Sequence, residues 1–108
     1  MMNDATNWLA QRVVDAPAQL RARMLTALGT VSDSVPLHER LALAACDCLT
    51  RALRDSVSRD SALELLAADA LLTHACEAAA ELGSDTLTAF AAAWGAPRFE
   101  QLLPIQAK

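Results

Sequence analysis

The chain has 108 residues, a formal net charge of −4 and an apolar fraction of 54% to which aromatics add only 4%. One domain spanning 1–108 is expected, with a core built mostly from Ala and Leu, both strong helix formers. The negative charge excludes nucleic acid as the principal partner, because phosphate binding needs a basic field. Three cysteines with no zinc-binding spacing point to reduced thiols rather than a disulfide scaffold. No run approaches the roughly 20 apolar residues of a membrane span, and Met1-Met2-Asn3-Asp4 lacks the basic and apolar segments of a secretory leader. The expected location is the cytoplasm.

The first helix is expected from about Asp4 to Val14, with Leu9 and Val13 four apart and Trp8 beside them. Asp15-Ala16-Pro17 breaks it, since Pro17 disfavours helical geometry at Ala16 and lacks an amide donor; Asp15 is the expected cap of the next helix. The second helix, about Pro17 to Leu28, places Leu20, Met24, Ala27 and Leu28 on one side and is expected to stop at Gly29. Thr30 to Val35 is a loop of capping and turn residues.

Ser34 and Pro36 announce a third helix running to about Ser56. Its apolar face is Leu37, Leu41, Ala45, Cys48, Leu49 and Ala52, with Glu39, Arg40, Asp47, Thr50, Arg51 and Arg54 facing away. A short connector with a cap, Val57 to Asp60, makes the third and fourth helices an antiparallel hairpin. The fourth, Ser61 to Leu82 with Gly83 closing it, carries Asp69, Thr73, Glu77 and Glu81 in a narrow polar stripe. Leu65, Ala68, Leu72, Ala75, Cys76 and Ala79 are expected on the opposite, covered side. Ser84 or Asp85 caps a fifth helix with a core stripe of Leu87, Phe90, Ala91 and Trp94. Pro97 can start one more short turn carrying Phe99, Leu102 and Leu103. The fold class is therefore all-α, a compact antiparallel bundle of four to five helices.

Charge is unevenly placed. Residues 1–60 hold seven Arg and seven acids, whereas 61–108 hold six acids against Arg98 and Lys108. Arg51, Arg54 and Arg59 could form a basic patch, but Asp47 stands four residues before Arg51 and favours an ordinary solvated face with an i,i+4 pair.

Little in the chain suits an active site. Cys46 and Cys48 point about 200° apart on a helix and cannot share one ion. His74, Glu77 and Asp69 cluster on one helix, yet one helix presents at most two of them to a metal. His74 on a long helix resembles, in size and shape alone, histidine phosphotransfer domains; those carry Lys three and Gly four residues on, where this chain has Glu77 and Ala78. Ala68 to Glu77 resembles the Gly-Asp-Ala-Leu-Leu-Thr-x-Ala-Phe-Glu helix of all-helical polyprenyl diphosphate synthases, departing at Ala68 and Cys76. Those enzymes hold magnesium with two Asp-rich motifs, and neither occurs here, so no site residue carries over.

The reading that remains is an interaction protein with no cofactor, self-associating or serving as an accessory subunit, because its apolar positions exceed what one small domain covers. Leu65, Ala68, Leu72, Ala75 and Ala79 are its expected interface. The alternative is a bundle binding an apolar small molecule in a pocket of Cys48, Leu65, Leu72, Phe90 and Trp94.

Overall fold

The computed structural model describes residues 4–54 and 58–95. Among them the chain forms five helices and no strand: α1 (Asp4–Arg12), α2 (Ala18–Gly29), α3 (Leu37–Arg54), α4 (Arg59–Leu82) and α5 (Ser84–Trp94). They make a compact all-α bundle in which α3 and α4 form the most extensive pair, with α2 packed on both and α5 on α4. The expected turn after Pro97 lies outside the described residues.

The core follows the apolar spacing of each helix. Leu9, Met24, Leu28, Leu41, Cys48 and Leu71 are the largest wholly buried side chains, and alanines at 42, 44, 45, 67, 75 and 79 let the helix backbones approach closely. Phe90 and Trp94 close the α5 side, stacked with ring centroids 6.1 Å apart. Ala91, expected beside them, is exposed.

Helix ends differ from expectation in ways set by backbone chemistry. Pro17, not Asp15, is the N-cap of α2, and no side chain caps it. Gly29 is the last residue of α2; Thr30 caps it, with its amide donating to the Ala27 carbonyl and the Val31 amide to the Leu28 carbonyl, both at 3.2 Å, and the Thr30 hydroxyl donating to Ala27 at 2.8 Å. In α4, Ser58 and Ser61 form a reciprocal capping box. Gly83 alone joins α4 to α5, serving as C-cap of one and N-cap of the other. Its φ of 130° is the only positive value among the described residues, a conformation that side-chain-bearing residues rarely adopt. Neither Ser84 nor Asp85 is needed as a cap.

Two polar residues expected at the surface or left unassigned are buried. Arg40 is almost fully covered, and its Nη2 donates to the Leu28 carbonyl at 3.1 Å, a second bond to an acceptor at the end of α2 that also takes the Val31 amide. His38 lies edge-on to Phe90, centroids 5.5 Å apart.

Candidate functional site

The rotation of α4 decides what the molecule can present. Its buried arc is Ser61, Glu64, Ala67, Ala68, Leu71, Ala75, Ala78 and Ala79. The polar stripe Asp69, Thr73, Glu77 and Glu81 faces solvent as expected, but the arc is turned toward Leu71 and away from Leu65. Leu65 is 53% exposed and Leu66 57%. Adjacent leucines on an outer helix face are what a docking surface offers, since each full burial is worth about 2 kcal/mol.

The expected interface set is therefore divided. Ala68, Ala75 and Ala79 are buried against the chain's own helices and present no free surface; their small side chains serve the internal contact instead. Leu72 is half-buried against the core, and Cys76, placed on the covered side by its spacing, is exposed. The expected pocket set is not brought together either. Cys48 is wholly buried while Leu65 faces solvent, and Phe90 and Trp94 line a separate shallow groove with His38, Asp85 and Ala89.

Beside the exposed leucines, α2 and α4 leave an open groove of about 840 Å³ lined by Ala22, Arg23, Thr26, Ala62, Leu63, Glu64 and Leu66, with Arg51 and Arg59 among its cationic wall residues. Glu64 anchors that wall. Its Oε2 accepts from Arg23 Nη1 at 2.9 Å on α2 and from Arg51 Nε at 3.1 Å on α3, so one carboxylate ties three helices together. Burial would raise its pKa, but the bonds from Arg51 and Arg23 outweigh burial and hold the carboxyl below its ordinary value. The bond to Glu64 in turn pushes the Arg51 guanidinium up. Arg51 also makes the expected i,i+4 pair with Asp47 at 3.3 Å. Burial first, and the Glu64 charge second, push the Cys48 thiol up to about 11, far from the thiolate range of reactive cysteines.

Compared with protein-family models, curated proteins and solved structures, the chain matches none.

A second ionic cluster pins α1 to the far end of α4. Arg12 pairs with Glu81 and lies 3.8 Å above the Trp8 ring, while Trp8 Nε1 donates to Glu81 at 3.3 Å. His74 Nδ1 stands 2.8 Å from Glu77 Oε1 and edge-on to Trp8. Among the described residues no group of three His, Cys, Asp or Glu comes together that could hold a metal ion, and no helix is long and apolar enough to cross a membrane.

Sequence reasoning missed the Arg23–Glu64–Arg51 clamp. The available signal was Glu64 itself, which falls three residues after Ser61 and four before Ala68 within the arc that continues to Leu71 and Ala75. A lone acid inside an apolar arc calls for a cationic partner from a neighbouring helix.

Proposed function

We propose that the chain is a noncatalytic helical interaction module that self-associates through the outer face of α4. The observation that carries this reading is the pair Leu65 and Leu66, both more than half exposed in the longest helix of the bundle. Leu53 near the end of α3 and Leu82 at the end of α4 are exposed too. The noncatalytic part rests on how the ionisable groups are used: Glu64 is tied to two arginines, Arg40 to backbone carbonyls and His74 to Glu77. Each of these contacts joins elements or stabilises a helix. Sedimentation velocity over a range of micromolar concentrations tests the reading: a mass that rises toward twice the chain mass supports it, and a constant monomer mass overturns self-association.

The groove between α2 and α4 favours a second reading, a site for an amphiphilic small molecule whose apolar body rests on Ala22, Ala62, Leu63 and Leu66. Decanoate, with its carboxylate directed to Arg59, is a suitable probe. A shift of the Leu63 and Leu66 methyl resonances that saturates below its micellar concentration supports that reading, and unchanged spectra oppose it.

A further inference from the structure

The first turn of α3 and one side of α5 meet in a groove of about 430 Å³ whose lining is chemically one-sided. On α5, Thr86, Phe90 and Trp94 follow at intervals of four with Asp85 beside them, so they share one side of the helix. His38 and Glu39 come from α3. The two carboxylates, the hydroxyl and the imidazole can all accept a hydrogen bond, and the aromatic rings offer negative faces. Among the described residues no Arg or Lys lines the groove.

His38 adds an independent signal. It is 8% exposed, and its Nδ1 is covered and has no hydrogen-bond partner. Its other nitrogen, Nε2, stands 3.9 Å from Glu39 Oε2. With the ring proton on Nε2, on the side of the Glu39 charge, Nδ1 is left as an unmatched acceptor, which is costly away from water. The same ring lies edge-on to Phe90, and Phe90 stacks on Trp94. An anion entering here would meet two carboxylates and no cation. A metal ion does not fit either, since among the described residues no group of three His, Cys, Asp or Glu comes together that could hold one. An organic ammonium ion meets opposite charge and aromatic faces, and with an N–H it can also match Nδ1.

We infer that this groove binds a primary alkylammonium, its charge between Glu39 and Asp85, its alkyl body on Phe90 and Trp94, and one N–H donating to His38 Nδ1. Because Nδ1 is covered, seating the N–H requires the imidazole to turn toward the groove. The site lies apart from the outer face of α4 and from the α2–α4 groove, so it stands or falls independently of the readings above.

Butylamine, cationic at neutral pH, is the probe, followed by NMR. The chain has two tryptophans; Trp94 lines the groove and Trp8 belongs to α1. The Trp94 indole and His38 ring signals should shift and saturate while the Trp8 indole stays in place. Tetramethylammonium, a cation without N–H, and butyrate, an anion of the same length, should bind about tenfold more weakly or worse. Asp85→Asn, at an exposed position, should weaken butylamine binding about threefold. His38→Phe, which keeps a ring but no acceptor, should weaken it about tenfold. N-acetyl-lysine methylamide separates the two sources of such a group: binding at least as tight as that of butylamine assigns the groove to a lysine side chain, and weaker binding to a free amine. No saturable shift at Trp94, tetramethylammonium binding as tightly as butylamine, or unchanged affinity in Asp85→Asn overturns the site. Circular dichroism checks that both variants fold, and Asp85→Asn carries the test if His38→Phe does not.

Discussion

Arg51 Nε lies 3.1 Å from Glu64 Oε2, joining the last turns of α3 to the first turns of α4, and Arg23 Nη1 on α2 reaches the same oxygen at 2.9 Å. A helical hairpin whose apolar contact is mostly alanine gains little area per side chain. The three-way ionic tie supplies direction as well as energy, because only one rotation of α4 brings Glu64 under both guanidinium groups. That rotation leaves Leu65 and Leu66 outside.

Replacing the carboxylate tests the tie. Glu64→Gln keeps the volume but removes the charge that both arginines meet, and should destabilise the fold by about 2 kcal/mol at neutral pH. The arginines are partly solvated, which keeps the loss below that of breaking a fully buried pair. The carboxyl is held below its ordinary value, so its contribution is complete above that value and fades as pH falls through the lower folded-state pKa. Urea titrations of both proteins should therefore converge below about pH 4. A constant gap down to acid pH would show that the carboxylate charge is not what holds the helices.

The facing of α4 can be read from two neighbouring leucines. Leu71 is wholly buried, so Leu71→Ala should cost about 3 kcal/mol. Leu72 is half-buried, and Leu72→Ala should cost about 1 kcal/mol. Equal or reversed losses in chemical denaturation would contradict the rotation described.

How much of this was legible beforehand depends on the residue. Leu9 and Val13, Met24 and Leu28, and Phe90 and Trp94 declare their faces because larger apolar groups stand at helical spacing among polar ones. In α4 the contrast fails: Leu65, Leu72 and Cys76 lie at one edge of the alanine arc and draw the apolar face toward themselves, whereas the buried centre of the arc holds Leu71 together with an acid, Glu64. The choice between them is made by Arg23 and Arg51, which come from other helices. Arg40 was read as solvent-facing for the same reason, since its partner is a carbonyl at the end of α2. The outer stripe of Asp69, Thr73, Glu77 and Glu81 needed no such information. The corner at Gly83 shows a different limit, because a glycine marks a stop without revealing that the next helix begins at once.

The cysteines should separate by reactivity. In dilute protein at mildly alkaline pH, Cys76 should react readily with iodoacetamide, being exposed. Cys48, buried and with its thiol pushed up to about 11, should remain unmodified until the chain unfolds. Mass spectrometry of timed digests checks this, and early labelling of Cys48 would mean that α3 and α4 separate in the native state.

Arg40 offers a test of the α2–α3 junction. Arg40→Met retains most of the apolar stem but removes the donors to the Leu28 and Val31 carbonyls, and should cost about 2 kcal/mol. Hydrogen exchange should then accelerate in the last turn of α2 more than in α4; uniform acceleration would assign Arg40 a general packing role instead.

The central claim is that the outer face of α4 is an interface. The most direct measurement is sedimentation equilibrium of the wild type beside a Leu65→Ser, Leu66→Ser double variant with an unchanged circular dichroism spectrum. A dimeric wild type and a monomeric variant are the predicted pair. A monomeric wild type at high micromolar concentration, or a variant that dimerises as tightly as the wild type, would contradict it.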